Sequence, residues 1–157
     1  MNRVTKLLSL FLIAGIALLY IGCDDDPKKS EEETQLDKLR GTWNIESVDN
    51  DGTSRTDEYP NMTLTISGTF TTAGLYQYTS DADEWPTVSP WKAEDGWKFK
   101  TADVARTITR QQDLIEMTYT LSNSDNTLTL DFNYSGAGFH NGRTESVSGD
   151  WSFVFTK

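Results

Sequence analysis

Ile115-Glu-Met-Thr-Tyr-Thr-Leu121 and Leu128-Thr-Leu-Asp-Phe-Asn-Tyr134, joined by Ser122-Asn-Ser-Asp-Asn126-Thr127, decide how the chain folds. In both runs every second residue is apolar, the period of a β-strand with one buried face. The joining residues are turn formers, whose short polar side chains bond nearby backbone. Two alternating strands around such a turn form an antiparallel hairpin, with one face on a core and one in water.

The same alternation extends outward from this hairpin. It recurs at Trp43 and Ile45, at Met62, Leu64 and Ile66, at Trp97 and Phe99, and at Trp151, Phe153 and Phe155. Phe70 opens a further strand that runs to about Thr79, interrupted by Gly74. Arg106-Thr-Ile-Thr-Arg110 is a shorter, more polar strand. Asp49–Gly52, Ser67-Gly68 and Ala102-Asp103 supply further turns. Helical periodicity is nearly absent after Leu39. The expected fold is all-β, an antiparallel meander of about eight strands. Such a meander can close into a barrel filled by side chains or holding one small ligand. A two-sheet β-sandwich is the alternative, and period-2 alternation does not separate the two. The expected core holds Trp43, Met62, Leu64, Ile66, Phe99, Leu128, Leu130, Phe132, Trp151, Phe153 and Phe155.

Charge and cysteine content narrow the function classes. The 157 residues carry 24 Asp+Glu against 14 Lys+Arg. That balance argues against nucleic acid and against electrostatic attraction to anionic lipid. A single cysteine rules out an intramolecular disulfide.

That cysteine, Cys23, ends a distinctive opening. Arg3 and Lys6 precede an uncharged apolar run from Leu7 to Ile21, followed at once by Gly22-Cys23. The run is shorter than the roughly 20 residues a spanning helix needs, so the layout is that of a cleavable signal peptide over residues 1–22. Leu19-Tyr-Ile-Gly-Cys23 resembles the lipobox of bacterial lipoproteins, with Tyr20 where a Leu is usual. The resemblance implies cleavage before Cys23, lipidation of its thiol and anchoring in the outer membrane. Ordinary secretion with an incidental cysteine is the alternative. Without Arg3 and Lys6, 12 basic and 24 acidic residues remain, a net charge of −12. Asp24-Asp25-Asp26 is similar to the signal that takes Bacteroidetes lipoproteins to the cell surface; a solvated tether accounts for it equally. Residues 23–38 are almost devoid of apolar side chains and are expected to be a disordered acidic tether. Extended, it would hold the domain up to ~50 Å from the lipid.

Residues 39–157 resemble the lipocalin-like domains of Bacteroidetes lipoproteins. The residues that carry this are Gly41-Thr-Trp43, Gly96-Trp-Lys-Phe99, Asn126-Thr-Leu-Thr-Leu130 and Gly149-Asp-Trp-Ser-Phe153. The resemblance implies that Trp43 packs at the barrel base and that Gly41 permits a tight chain entry there. Lipocalins also stack an Arg from near the final strand on the signature Trp. Here the last strand offers only Lys157, with Arg106 and Arg110 as other candidates. A C-terminal helix pattern is also missing.

Chemistry is sparse. The one histidine, His140, lies in a Gly-rich loop with no nucleophile motif beside it, so no catalytic residues are assigned. Asp49–Asp51 and Asp81–Glu84 read as solvated turns, and no metal or cofactor is expected. Trp85 and Trp91 fall in a Pro-containing acidic loop from Ser80 to Gly96, outside any strand. There they either stack on a sugar or apolar ligand, or fold back as a plug in the barrel mouth. With Tyr76 and Tyr78 they form the candidate ligand-binding set. The expected function is a lipid-anchored, non-catalytic envelope domain that binds a small apolar or glycan-like ligand in or at the mouth of its barrel. The alternative is a structural or interaction lipoprotein whose solid barrel contacts another envelope protein.

Overall fold

In the computed structural model, residues 28–71, 74–81, 88–139 and 147–157 are described. A helix, α1 (Glu31–Leu39), precedes the strands β1 (Gly41–Asn50), β2 (Thr53–Ser54), β3 (Thr63–Ser67), β4 (Tyr76–Ser80), β5 (Glu94–Phe99), β6 (Thr107–Arg110), β7 (Glu116–Ser122), β8 (Thr127–Tyr134) and β9 (Gly149–Thr156). Sequential strands pair antiparallel from β3 to β9, β1 pairs with β3, and β1 also pairs with β9. The last pairing closes an eight-strand barrel, with β2 as an extra strand on the end of β1, and the sandwich alternative is excluded.

β1 makes the closure possible because it serves two neighbours along its length. Gly41–Asn44 face β3, with Trp43 opposite Leu64, while Asn44–Asn50 face β9, with Val48 opposite Phe153. The register shifts between Ile45 and Ser47, a bulge that bends the strand between its two partners. Asp51 (φ 51°) and Gly52 (φ 78°) are both left-handed, as a two-residue hairpin turn from β1 into β2 requires. β2 is a single pair of residues on that turn. The hairpin expected at 115–134 is present in register, Leu121 opposite Leu128 and Tyr119 opposite Leu130.

Alternation places the core. All eleven residues expected inside are buried, none more than 6% exposed. Thr118, Thr120 and Asp131 point outward on the same strands. Val48, Tyr59, Tyr76, Tyr78, Trp91, Ile108, Met117, Tyr119 and Tyr134 join the cluster.

Two segments differ from expectation. Residues 31–38, expected within a disordered tether, are helical. Ser30 accepts a hydrogen bond from the Glu33 amide (3.1 Å), the first turn is acidic, and Leu36 and Leu39 are buried against the barrel. An N-cap and a negative first turn favour a helix start, and two buried leucines hold it down. Phe70, expected to open a strand, lies outside β4 and is 38% exposed. Gly68 (φ 119°) turns the chain at the end of β3, and pairing resumes at Tyr76 after Gly74 (φ 62°).

Candidate functional site

The candidate site is the barrel interior with its two ends. At the base, where β1 begins, Trp43 is fully buried and donates its indole N–H to the Leu39 carbonyl of α1 (2.8 Å). The Lys157 ammonium sits 4.2 Å from the centre of the Trp43 ring and donates to the Lys38 carbonyl (2.7 Å). Lys157 therefore takes the place on Trp43 for which Arg106 and Arg110 were the other candidates. Partial burial lowers its pKa, and the Asp125 carboxylate works against that shift. Gly41 (φ 126°) brings the chain in at this point, and a Cβ there would meet the Lys157 side chain at 3.5 Å. Lys38 with Asp125 and Tyr76 Oη with Glu32 tie the rest of α1 across the base. The base is closed.

Among the described residues the mouth is filled as well. Trp91, expected in a loop outside the strands, does lie outside them, but it is folded inward and only 2% exposed. It meets Tyr78, Phe132 and Phe153 edge to face at centroid distances of 5.4, 5.8 and 5.6 Å. Of the two sequence alternatives for this residue, the structure has the plug. Three features hold the plug-bearing segment. Ser89 Oγ accepts from the Trp91 amide (3.0 Å), Ser89 bridges to Phe139, and the Arg110 guanidinium donates to the Pro90 carbonyl (2.7 Å). Gly138 permits the Ser89–Phe139 approach, since a Cβ there would lie 2.3 Å from Val88 Cγ1 and 2.8 Å from the Ser89 carbonyl. Tyr59 seals the β1–β3 side against Trp151 and Phe153.

Arg110 was not expected here. It is 1% exposed, is gripped by both Asp113 oxygens (3.1 and 2.5 Å), and lies within 5.8–5.9 Å of the Trp91, Phe132 and Tyr134 ring centres. Its signal in the sequence was the shared face with Ile108 two residues earlier, which alternation assigns inward. Asp95 is buried nearby on the mouth side, where its oxygens accept from the Gly96 (2.7 Å) and Gln112 (3.4 Å) amides.

Between these groups a cavity of about 20 Å³ remains, lined by Leu64, Ile66, Tyr78, Trp91, Trp97, Ile108, Arg110, Met117 and Leu130. One water molecule is the largest occupant that volume admits. The indole N–H groups of Trp91 and Trp97 are buried without an acceptor. Tyr76, also in the candidate set, is fully buried and packs on Trp97 at 4.9 Å, beside the cavity lining and tied to α1 through Glu32. The structure thus gathers Tyr76, Tyr78 and Trp91 inside the barrel as packed core. Trp85, Cys23 and His140 lie outside the described residues.

The larger hollows among the described residues are open grooves on the outer wall. One of about 520 Å³ runs along β1, β9 and β8 beside Asp49, Asp51, Asp131 and Asp150. Three of these aspartates have structural partners: Asp49 accepts from the Gly52 amide, Asp51 from the Asp150 amide and Asp150 from the Asn133 side-chain amide. Among the described residues no three His, Cys, Asp or Glu side chains are arranged to hold a metal ion. No helix of the described residues is long and apolar enough to cross a membrane. Comparisons with family models, curated proteins and solved structures find no match to this chain.

Proposed function

We propose that this chain is a lipid-anchored, non-catalytic envelope protein whose barrel is a solid scaffold, working through its outer wall and loops in contact with another envelope protein. The filled interior carries this reading. About 20 Å³ is left inside, whereas a site for a small organic ligand occupies roughly 300–1,000 Å³. The anchor and its placement at the outer membrane rest on Arg3, Lys6, the apolar run and Leu19–Cys23, and display on the cell-surface side rests on Asp24–Asp26. The test is co-purification of the mature protein from gently solubilised membranes, with Cys23→Ser as the control. A stoichiometric partner that is lost in the control supports the reading. A monomer that instead takes up ligand, seen as a change in tryptophan fluorescence, overturns it.

The ligand-binding reading keeps one observation in its favour. Trp91 is carried by a connecting segment rather than a strand, and it and Trp97 present buried N–H donors without acceptors. A small apolar or glycan-like ligand would enter in exchange for the Trp91 side chain. Such a ligand would then meet Tyr78 and Trp97.

A further inference from the structure

α1 leaves the barrel on one particular side of the base. Its first turn lies against the connection between β3 and β4: the Tyr76 hydroxyl donates to Glu32 (2.7 Å), and a Cβ on Gly74 would stand 3.0 Å from the same carboxylate. The Arg40 guanidinium donates to the Gly68 carbonyl of that connection (3.4 Å). The described part of the connection, Gly68–Thr71 with Gly74-Leu75, carries no charge, and it holds Phe70 (38% exposed) and Leu75 (41% exposed). These are two of the three large exposed apolar side chains among the described residues. The third, Leu114, sits in the turn from β6 to β7, a connection at the mouth end.

The chain between α1 and Cys23 is short. Because residues 31–38 are helical, with Ser30 as their cap and Lys29 paired to Asp37, only Asp24–Lys28 separate Cys23 from residues tied to α1. Five residues reach roughly 17 Å when fully extended, about a third of what an unstructured tether to residue 38 would allow. The tether starts at the N-terminal turn of α1, beside Phe70 and Leu75. Exposed aromatic and aliphatic side chains gain free energy by entering the boundary between lipid headgroups and acyl chains, and an uncharged backbone segment lowers the cost of approach.

We infer that the base of the barrel faces the lipid surface, with Phe70 and Leu75 seated in the bilayer interface, and that the mouth with its loops points away from the membrane. This rests on the lipid anchor of the proposed function. The partner surface then lies on the outer wall and mouth loops, and lipid is the occupant of the patch made by the Phe70 and Leu75 side chains. The acidic residues of α1 and of Asp24–Asp26 disfavour an anionic surface, so the fitting surface is zwitterionic.

Nitroxide labels on Phe70→Cys, Leu75→Cys and Leu114→Cys test this in the lipidated protein, in phosphatidylcholine vesicles. Lipid on Cys23 leaves each introduced thiol the sole labelling site. Labels at 70 and 75 are expected to relax more through oxygen, which concentrates in lipid, than through a water-soluble nickel chelate. The label at 114 is expected to show the opposite balance. Chelate access at 70 and 75 equal to that at 114 overturns the inference and leaves the anchor standing. Intact-mass measurement reads the acyl chains separately, and a chain without them overturns anchor and inference together. The three positions are exposed, and circular dichroism identical to wild type verifies each fold.

Discussion

Arg110 is the one cation fully buried among the described residues, and its position couples several parts of the molecule. It belongs to β6, its carboxylate partner Asp113 to the following turn, and the carbonyl it holds to Pro90 beside the plug. Removing the guanidinium strands a half-buried carboxylate and an unpaired carbonyl, so Arg110→Met is expected to lower stability by about 3–5 kcal/mol in urea unfolding. Unchanged stability would show that the pair contributes nothing net. Leu114 presents the opposite case. It is 70% exposed and held at φ 59°, a conformation that costs a residue with a Cβ roughly 1–2 kcal/mol. Leu114→Gly is expected to raise the melting temperature, a gain equivalent to about 1 kcal/mol once the added freedom of glycine in the unfolded chain is subtracted. A lower melting temperature would mean that Leu114 packs in a way its exposure does not show. Arg110 shares the inward face of Ile108, a signal hidden by the polar character of Arg106–Arg110. Asp113 lies three residues on in the following turn, whereas Pro90 reaches Arg110 only after the barrel has formed.

Elements are where sequence and structure diverge most. The strands of the barrel wall were legible because they present one apolar face at period 2, the simplest pattern a buried surface writes into a chain, while β2, Thr53-Ser54, has no apolar side chain and was not. α1 was not, because Glu31–Leu39 has only two apolar side chains, and the balance of hydropathy over 24–38 reads as a tether. The missed signal was Ser30 followed by Glu33, the spacing of a capping box, in a segment built from good helix formers. The plug was legible only as one of two alternatives. A Trp in an acidic loop has the same appearance whether it meets solvent or a core, and only the Ser89–Phe139 bridge across two loops decides between them. Trp91→Ala would remove most of the aromatic contact at the mouth. A loss of about 3–5 kcal/mol is expected in chemical unfolding, together with new binding of an apolar dye inside the barrel. Wild-type dye binding in a stable variant would mean that neighbouring residues collapse into the vacated volume.

At the scale of the whole molecule, ionisation sets an alkaline limit. Six tyrosines occur in the chain, and the five in the β domain, Tyr59, Tyr76, Tyr78, Tyr119 and Tyr134, all have pKa values raised by burial. Glu32 adds to the shift at Tyr76, and the Glu31 and Asp103 charges add to it at Tyr119. An unfolded tyrosine releases its proton near 10.0, while the folded ones hold theirs. Above that pH the unfolded chain binds fewer protons, so stability falls as pH rises and is untouched by these groups below it. Lys157, with its lowered pKa, acts in the other direction, as one group against five. Thermal melts from about pH 8 to 12 should show a falling midpoint from about pH 10 upward. Tyrosinate absorbance should appear in one step with unfolding; gradual titration in the folded state would contradict the burial of these side chains. Closure by β1 and β9 has a consequence for how the chain is made. Asn44 pairs with Thr156 of β9, so the ring cannot be completed until β9 has been made. Until then two ladders, β1 with β9 and β8 with β9, are unformed, and their vacant edges are templates for mispairing with other chains. The growing polypeptide is therefore a vulnerable open sheet until β9 emerges, and a holdase that shields strand edges has its longest opportunity on β1, which is made before the other strands of the barrel and is the last of them to find its second neighbour.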